Sequence, residues 1–570
     1  MIARFRVLAV FTGLIAAPAW TQSSFGPAPV IGSELRDEVN ELKGMLRTQA
    51  ALLDEQRSRL ERQQAEIDEL RSKLGFAPIA QPSAASVPHA TQLARAVSAL
   101  RGSAAFSAPA PAASPHIEKA VLARDISAPP AEQQNAATGD SQLSIHFGKA
   151  SLTPGGWVDF TAIYRSRDVG SGLGTAFASI PYSDTVQGGL SETRLTAQNS
   201  RITLRADENF SGTRVFGYAE ADFNGVLPAN AYVSTNSDSF RLRVYFTDLA
   251  RGRLEFLGGQ SWSLLTPNRV AISPFLTEIY NTLHLDSNYQ VGLTYARQTQ
   301  IRAVTHITPT IAFGVSAENP MQYSSPAATF PALFSTAQTD TGGGTATPTL
   351  HPDLIAKLAW DPQWLQRRWH FESSGLLTPV AILTPAGVAG STSHKDVKEG
   401  RGIGAAGNLE VAPNLHLILT GFWSDGGGRY IGGLGPGFVV AQYGGISAPF
   451  RIQLIHSGSG VAALEWRATR STIASATFSQ AYFGRAWSTD PSSGKFVGYG
   501  FPGSSDSQNR ILREATFATQ TTLWRQPGYG SVQMITQSSW VQRAPWSFTP
   551  GTPKSAQVFS GWANLRYVLP

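Results

Sequence analysis

The stretch Phe240-Arg241-Leu242-Arg243-Val244-Tyr245-Phe246 alternates apolar side chains with Arg or Tyr. In an extended chain successive side chains point to opposite faces. Phe240, Leu242, Val244 and Phe246 therefore share one face, and Arg241, Arg243 and Tyr245 share the other. A face of Phe, Leu and Val can meet hydrocarbon or a core, whereas two guanidiniums need water or counter-charges. The stretch reads as a strand that separates an apolar phase from a polar one.

The same period recurs across the chain. In Trp157 to Tyr164, Val158, Phe160, Ala162 and Tyr164 oppose Asp159 and Thr161, and in Arg201 to Ala206, Ile202, Leu204 and Ala206 oppose Arg201, Thr203 and Arg205. The final segment sets Ala563, Leu565, Tyr567 and Leu569 against Asn564, Arg566 and Val568. A chain that ends inside such a strand fits a barrel whose last strand closes on its first. From about Ser141 to Pro570 no helical period is sustained, and turn residues separate the alternating stretches.

Alternation alone also describes a soluble sandwich. Composition and the N-terminus favour a membrane barrel. Only 15% of residues are charged, against 42% hydrophobic, with 54 Gly, 29 Phe, 15 Tyr and 13 Trp. Soluble proteins carry about 25% charged residues, and interfacial aromatics suit a bilayer. Arg4 and Arg6 precede an apolar stretch from Val7 to Ala17, and Ala17-Pro18-Ala19 has the form of a cleavage site. Residues 1–19 thus read as a secretory signal peptide, too short to span a bilayer. After Ala19 no run of 18 apolar residues occurs, which excludes a helical membrane protein. A closed barrel satisfies its backbone without water, as an open sheet in lipid cannot. The fold expected is an all-β transmembrane barrel of about 16 antiparallel strands, preceded by an α-helical coiled coil.

That coiled coil occupies residues 33–74. Val39, Leu46, Leu53, Leu60, Ile67 and Leu74 fall at the a positions of a strict heptad, and Leu35, Leu42, Gln49, Gln56, Gln63 and Leu70 at d. It would be roughly 60 Å long and implies self-association, as a dimer or a trimer. Residues 75–140 hold 20 Ala, 8 Pro and 7 Ser, too little large apolar surface to fold, and read as a linker. The barrel takes residues 141–570, with loops expected at Gly342 to Gly344, Ser391 to Gly400 and Gly426 to Gly437.

No enzyme, metal or cofactor is indicated. Cysteine is absent, the closest His pair, His351 and His370, is not at ligand spacing, and basic residues form no run, so no nucleic-acid partner is expected. Gly402-Ile403-Gly404-Ala405-Ala406-Gly407 matches a dinucleotide fingerprint but lacks the preceding buried strand and following helix; it reads as glycines in a barrel strand. His456-Ser457-Gly458-Ser459-Gly460 lacks the register of a serine nucleophile.

The polar face carries more information. Arg201 and Arg205, then Glu220 and Asp222, then Arg241 and Arg243, then Glu255 occupy successive strands and can pair across them. Arg297, Arg302, Arg467, Arg470, Arg510, Arg513, Arg525 and Arg566 form a basic surplus in or beside further strands. Two readings stand: a wall of self-cancelling pairs, or an Arg-lined pore that favours small organic anions. Arg201, Arg205, Glu220, Asp222, Arg241, Arg243, Arg297 and Arg302 are the candidate pore-lining residues. The segment Pro267 to Asn288 is long between strands, and a fold into the lumen would narrow the pore near Arg241, Arg243, Arg297 and Arg302.

With these residues in view, the barrel resembles the DcaP-like trimeric outer-membrane porins. The resemblance is carried by Asn199-Ser200-Arg201, by Gly217-Tyr218-Ala219-Glu220-Ala221-Asp222-Phe223, by Ser239 to Tyr245, and best by Phe256-Leu257-Gly258-Gly259-Gln260-Ser261-Trp262-Ser263-Leu264-Leu265-Thr266-Pro267-Asn268. Asn288 to Leu293 and Arg297 to Arg302 follow in order. The coiled coil, the linker and about the first third of the barrel match well, and the last two thirds mainly in pattern. The resemblance implies a 16-stranded homotrimer in the outer-membrane lipid, its coiled coil in the periplasm, and passive uptake of dicarboxylates and related acids. The terminal Tyr567-Val568-Leu569-Pro570 departs from the closing Phe usual in such barrels. Two other classes remain beside a porin: an envelope tether or adhesin that reaches the cell wall through the coiled coil, and a barrel enzyme.

Overall fold

A computed structural model describes residues 143–226, 238–275, 278–280, 283–344, 347–390 and 392–570. The signal peptide, coiled coil and linker expected at 1–19, 33–74 and 75–140 lie outside the described residues.

Sixteen antiparallel strands close into one ring. They are β1 (Ala150–Arg165), β2 in two pieces (Glu192–Thr196 and Arg201–Phe210), β3 (Thr213–Asp222) and β4 (Arg241–Arg251). Next come β5 (Leu254–Trp262), β6 (Arg297–Thr308), β7 (Ile311–Glu318) and β8 (Asp353–Trp360). The taller half follows with β9 (Arg367–Thr384), β10 (His394–Ala412), β11 (Leu415–Asp425) and β12 (His456–Arg467). The ring is completed by β13 (Thr472–Phe483), β14 (Asn509–Gln526), β15 (Gly530–Pro545) and β16 (Ala556–Val568).

Each strand pairs with its sequence neighbour, and β16 returns to β1 through the register Trp157↔Val568 to Arg165↔Ser560. The short strand Ile145–Phe147 continues the β16 row along β1. The last strand thus closes on the first, as the terminal alternation required.

The two rims differ. At one end the strands are joined by turns of a few residues, such as Ser211-Gly212, Gly252-Arg253 and Pro413-Asn414, and at the other by connections such as 263–296, 319–352, 426–455 and 484–508. Short turns face the periplasm and long loops the exterior in outer-membrane barrels. Both Ile145–Phe147 and the end of β16 lie at the short-turn rim.

The outer wall is apolar. Val158, Phe160 and Tyr164 on β1, Leu464 and Trp466 on β12, Phe517 on β14 and Leu565 and Tyr567 on β16 are all exposed, while Asp159, Thr161, Asn564 and Val568 between them are buried inside. Trp360, Phe371, Trp369 and Trp364 form a chain of ring contacts near the short-turn rim, the place of an aromatic girdle. Water would not reward such a surface, and hydrocarbon does.

The stretch Phe240 to Phe246 departs from strict alternation. Phe240 and Leu242 face outward and Arg241 and Arg243 inward, but Tyr245 is exposed and Val244 and Phe246 are buried inside. The cause is a β-bulge: Ala221 pairs with Leu242 and Glu220 with Val244, so Arg243 is an extra residue. One inserted residue reverses every face beyond it. Ser391 to Gly400 is also corrected, because β10 begins at His394 and pairs with β9 as far as Thr384↔His394. A hairpin of Phe438–Gln442 with Phe450–Leu454 packs Phe438, Val440, Phe450 and Ile452 against Val380 and Ile382 of β9, which supports this tall extension. Gly402 to Gly407 lie within β10, as expected.

The interior of the taller half is filled. Leu264, Leu265 and Val291 from 263–296, Tyr430 and Ile431 from 426–455, and Tyr499 from 484–508 join one apolar cluster with Phe422, Phe483 and Leu512 of the wall. The loops also bond to one another, with Gly498 N–H donating to Thr329 O at 2.9 Å.

Spin labels placed at Leu242, Tyr245 and Val244 test the bulge. Oxygen dissolved in lipid should relax labels at 242 and 245 and spare the label at 244; unbroken alternation would give the opposite result for 244 and 245.

Candidate functional site

Arg241 and Arg243 share the inner wall by alternation, opposite Glu220 and Asp222 of β3, and the bulge adds Val244 to the same face. Arg243 Nε donates to Glu220 Oε1 at 2.6 Å and its Nη1 to Asp222 Oδ2 at 2.6 Å. Arg241 grips Asp222 with two bonds, Nε to Oδ1 at 2.9 Å and Nη2 to Oδ2 at 2.7 Å. Arg201 Nη1 lies 3.3 Å from Glu220 Oε1. Register explains the assembly, because Arg201↔Asp222 and Asp222↔Arg241 are directly opposed.

Two aromatic shelves flank these ions. Trp157 of β1 lies between the guanidiniums of Arg201 and Arg566, whose carbons are 4.3 and 4.7 Å from its ring. Arg566 is paired with Asp159 at 2.9 Å. On the other side Trp262, Tyr289 and Tyr295 contact one another. Arg297 stands 5.9 Å above Trp262, and Arg243 Nη2 donates to Tyr289 Oη at 2.9 Å.

Four guanidiniums (Arg201, Arg241, Arg243 and Arg297) therefore meet two carboxylates (Glu220 and Asp222), a surplus of two positive charges in this cluster. The two cations at its edge are the accessible ones. The Arg241 side chain is 29% exposed against 3% for Arg243, and Arg297 has no ion pair among the described residues.

The remaining candidates lie elsewhere. Arg205 pairs with Asp207 of its own strand at 2.5 Å. Arg302 is buried, donating to Gln300 Oε1 at 3.0 Å and to the carbonyl of Trp262. Five residues along β6 place it ~16 Å from Arg297, so Arg241, Arg243 and Arg297 form one group without it. Of the wider basic surplus, Arg566 faces inward, but Arg510 and Arg513 sit on the outer side of β14 and do not line the lumen.

The segment 263–296 does fold inward, and it crosses to the far wall. Arg269 makes a bidentate pair with Glu465 of β12 at 3.1 and 2.9 Å. Gln290 Nε2 donates to Ser479 Oγ of β13 at 2.6 Å, Val291 N–H to Glu514 of β14 at 2.8 Å, and Leu285 N–H to Gln537 of β15 at 2.6 Å. Lys357 of β8 holds the near end through Thr266 O at 2.7 Å and Glu372 at 3.0 Å. Gly292 has φ +79°, and a Cβ there would come within 2.5 Å of Gln480 O, so only glycine permits this approach. Burial pushes the loop imidazole of His284 down to about 4 and the Asp286 carboxyl upward.

Sequence reasoning missed the roles of Trp157, Tyr289 and Glu465. The inward parity of Trp157 and Glu465 is readable, but their partners come from distant elements. Tyr289 lies in a loop without periodicity.

No protein-family model and no curated protein matches the chain. Among solved structures, the outer membrane channel DcaP of Acinetobacter baumannii is similar at 15% identity with a TM-score of 0.52, covering 74% of this chain and 99% of that one. The anion-selective porin from Comamonas acidovorans aligns at 10% identity and TM-score 0.41, covering 74% of this chain and 100% of its own. The likeness to the DcaP channel holds at the level of the fold, the porin-type barrel, as the sequence motifs implied.

The Glu465→Ala variant should lose about 3–5 kcal/mol of unfolding stability, because it removes both bonds of a buried bidentate ion pair. Denaturant unfolding in detergent micelles measures it, and a loss below about 1 kcal/mol would mean that the pair does not anchor the loop.

Proposed function

We propose that this chain is an outer-membrane channel for passive diffusion of small organic anions, dicarboxylates above all. The observation that carries this reading is the surplus of two positive charges at the Arg201–Arg241–Arg243–Arg297 cluster, with Arg241 and Arg297 at its accessible edge. A low-dielectric wall focuses such a field into the lumen and raises the local concentration of anions. Guanidiniums on aromatic shelves also suit carboxylates, which they bind through paired N–H groups.

In this reading Glu220 and Asp222 hold Arg201 and Arg243 rigid, and Arg241 and Arg297 meet the solute. The crossing loop sets the width of the path. Arg205 and Arg302 line or brace the wall nearer the short-turn rim. The channel acts as a homotrimer, and the coiled coil expected at 33–74 stands in the periplasm, as the resemblance implies. A stalk of that length also has the reach to touch the cell wall.

Proteoliposomes test the reading by comparing entry of a four-carbon dicarboxylate with that of a neutral solute of equal size. The R241Q/R297Q variant should slow dicarboxylate entry roughly tenfold, the lower end of electrostatic focusing, and leave the neutral solute within about twofold. An unchanged ratio of the two rates would contradict an anion-selecting role for the cluster.

A further inference from the structure

The outer wall carries a second basic cluster, on the side of the barrel that faces lipid. Arg485 and Arg510 approach the ring of Trp546 to 5.2 and 5.7 Å, and Tyr482 meets that ring edge-on at 6.2 Å. Below them Arg513 of β14 donates to Gln480 Oε1 of β13 at 3.0 Å and to Gln542 Oε1 of β15 at 3.4 Å. Among the described residues none of the three guanidiniums has an ion pair; their partners are amides and aromatic rings. Arg485 and Arg510 are exposed.

Register fixes what lies beneath. Gln480, Arg513 and Gln542 form one row across three strands, and two residues nearer the short-turn rim Phe478, Ala515 and Trp540 form the next. That step is ~7 Å. Here the wall opens into a groove of about 890 Å³. Ala476, Ala515, Ser538 and Gly561 make its floor, and Phe478, Phe517, Trp540 and Phe559 rise around it. Small side chains at the floor and rings at the edge leave room for a chain of methylenes.

The cluster lies at the long-loop end of the apolar band, the outer-leaflet boundary. An outward Arg is costly at the bilayer midplane and nearly free near the interface, where an anionic headgroup supplies the counter-charge these guanidiniums lack. Arginine pairs with phosphate through parallel N–H bonds. From the coincidence of an unpaired basic cluster with an acyl-sized groove directly under it, we infer that this face binds a phosphorylated glycolipid of the outer leaflet. Its phosphate sits on Arg485, Arg510 and Arg513, and an acyl chain lies between Phe478 and Phe517. The site is independent of the lumen, so its loss would leave the proposed channel activity intact.

The full chain, purified in detergent, is titrated with a diphosphorylated hexa-acyl disaccharide lipid and followed by native mass spectrometry. Binding should weaken about tenfold or more, equivalent to about 1.4 kcal/mol, in the R485Q/R510Q/R513Q variant. It should weaken comparably when the lipid is dephosphorylated or when Ala476→Phe fills the groove. Heat-modifiable migration and neutral-solute entry, unchanged in each variant, report an intact barrel. Equal binding by the triple variant would overturn the inference. So would displacement of the lipid by inorganic phosphate, which would mark a simple anion site. Loss of oligomer without loss of lipid would assign the face to a contact between copies of this chain.

Discussion

A strand edge in hydrocarbon has no water to pair with, and each unmet backbone group there costs several kcal/mol. The pairing of β1 with β16 removes the last such edge, and every other feature of the barrel depends on it. Closure fixes which face of each strand is inside. It brings Arg566 and Asp159, separated by almost the whole described chain, to 2.9 Å on the inner wall. It also stacks Trp157 between guanidiniums from β2 and β16. The inner electrostatics are thus a product of topology as much as of composition.

Inside the ring the polar groups are organised asymmetrically. Connections 263–296, 426–455 and 484–508 pack into the taller half with a shared apolar cluster. The Arg cluster occupies the shorter strands β2 to β6. Pairs alone would make it a neutral brace, and several of its bonds are of that kind. The excess of cations over carboxylates distinguishes it from the self-cancelling wall that the sequence left equally open. Arg205 with Asp207 is, by contrast, a pair of the bracing kind.

Much of this was legible before the structure. The period of two located strands at Trp157 to Tyr164, Arg201 to Ala206 and Ala563 to Tyr567 with the correct faces, because alternation is a direct image of the pleat. The same logic failed at Val244. A bulge at Arg243 leaves no mark on an alternating string, since its signal is the partner strand's register. The inward course of the long segment after β5 was legible from its length and its Pro and aromatic content. Its anchors, Glu465, Ser479, Glu514 and Gln537, were not, because they are single inward residues on four distant strands. Arg510 and Arg513, counted in the basic surplus, lie on the outer face for a related reason: a bulge between Asn509 and Ile511 and an amide-lined outer row put cations where the apolar pattern alone forbids them.

The proposed function requires an open, anion-favouring path through the closed ring. Planar-bilayer recording of the purified protein under a salt gradient is the decisive measurement. A reversal potential of the sign set by anions, carried by discrete conductance steps, is expected. A reversal potential set by cations, or no conductance from a correctly folded barrel, would contradict it.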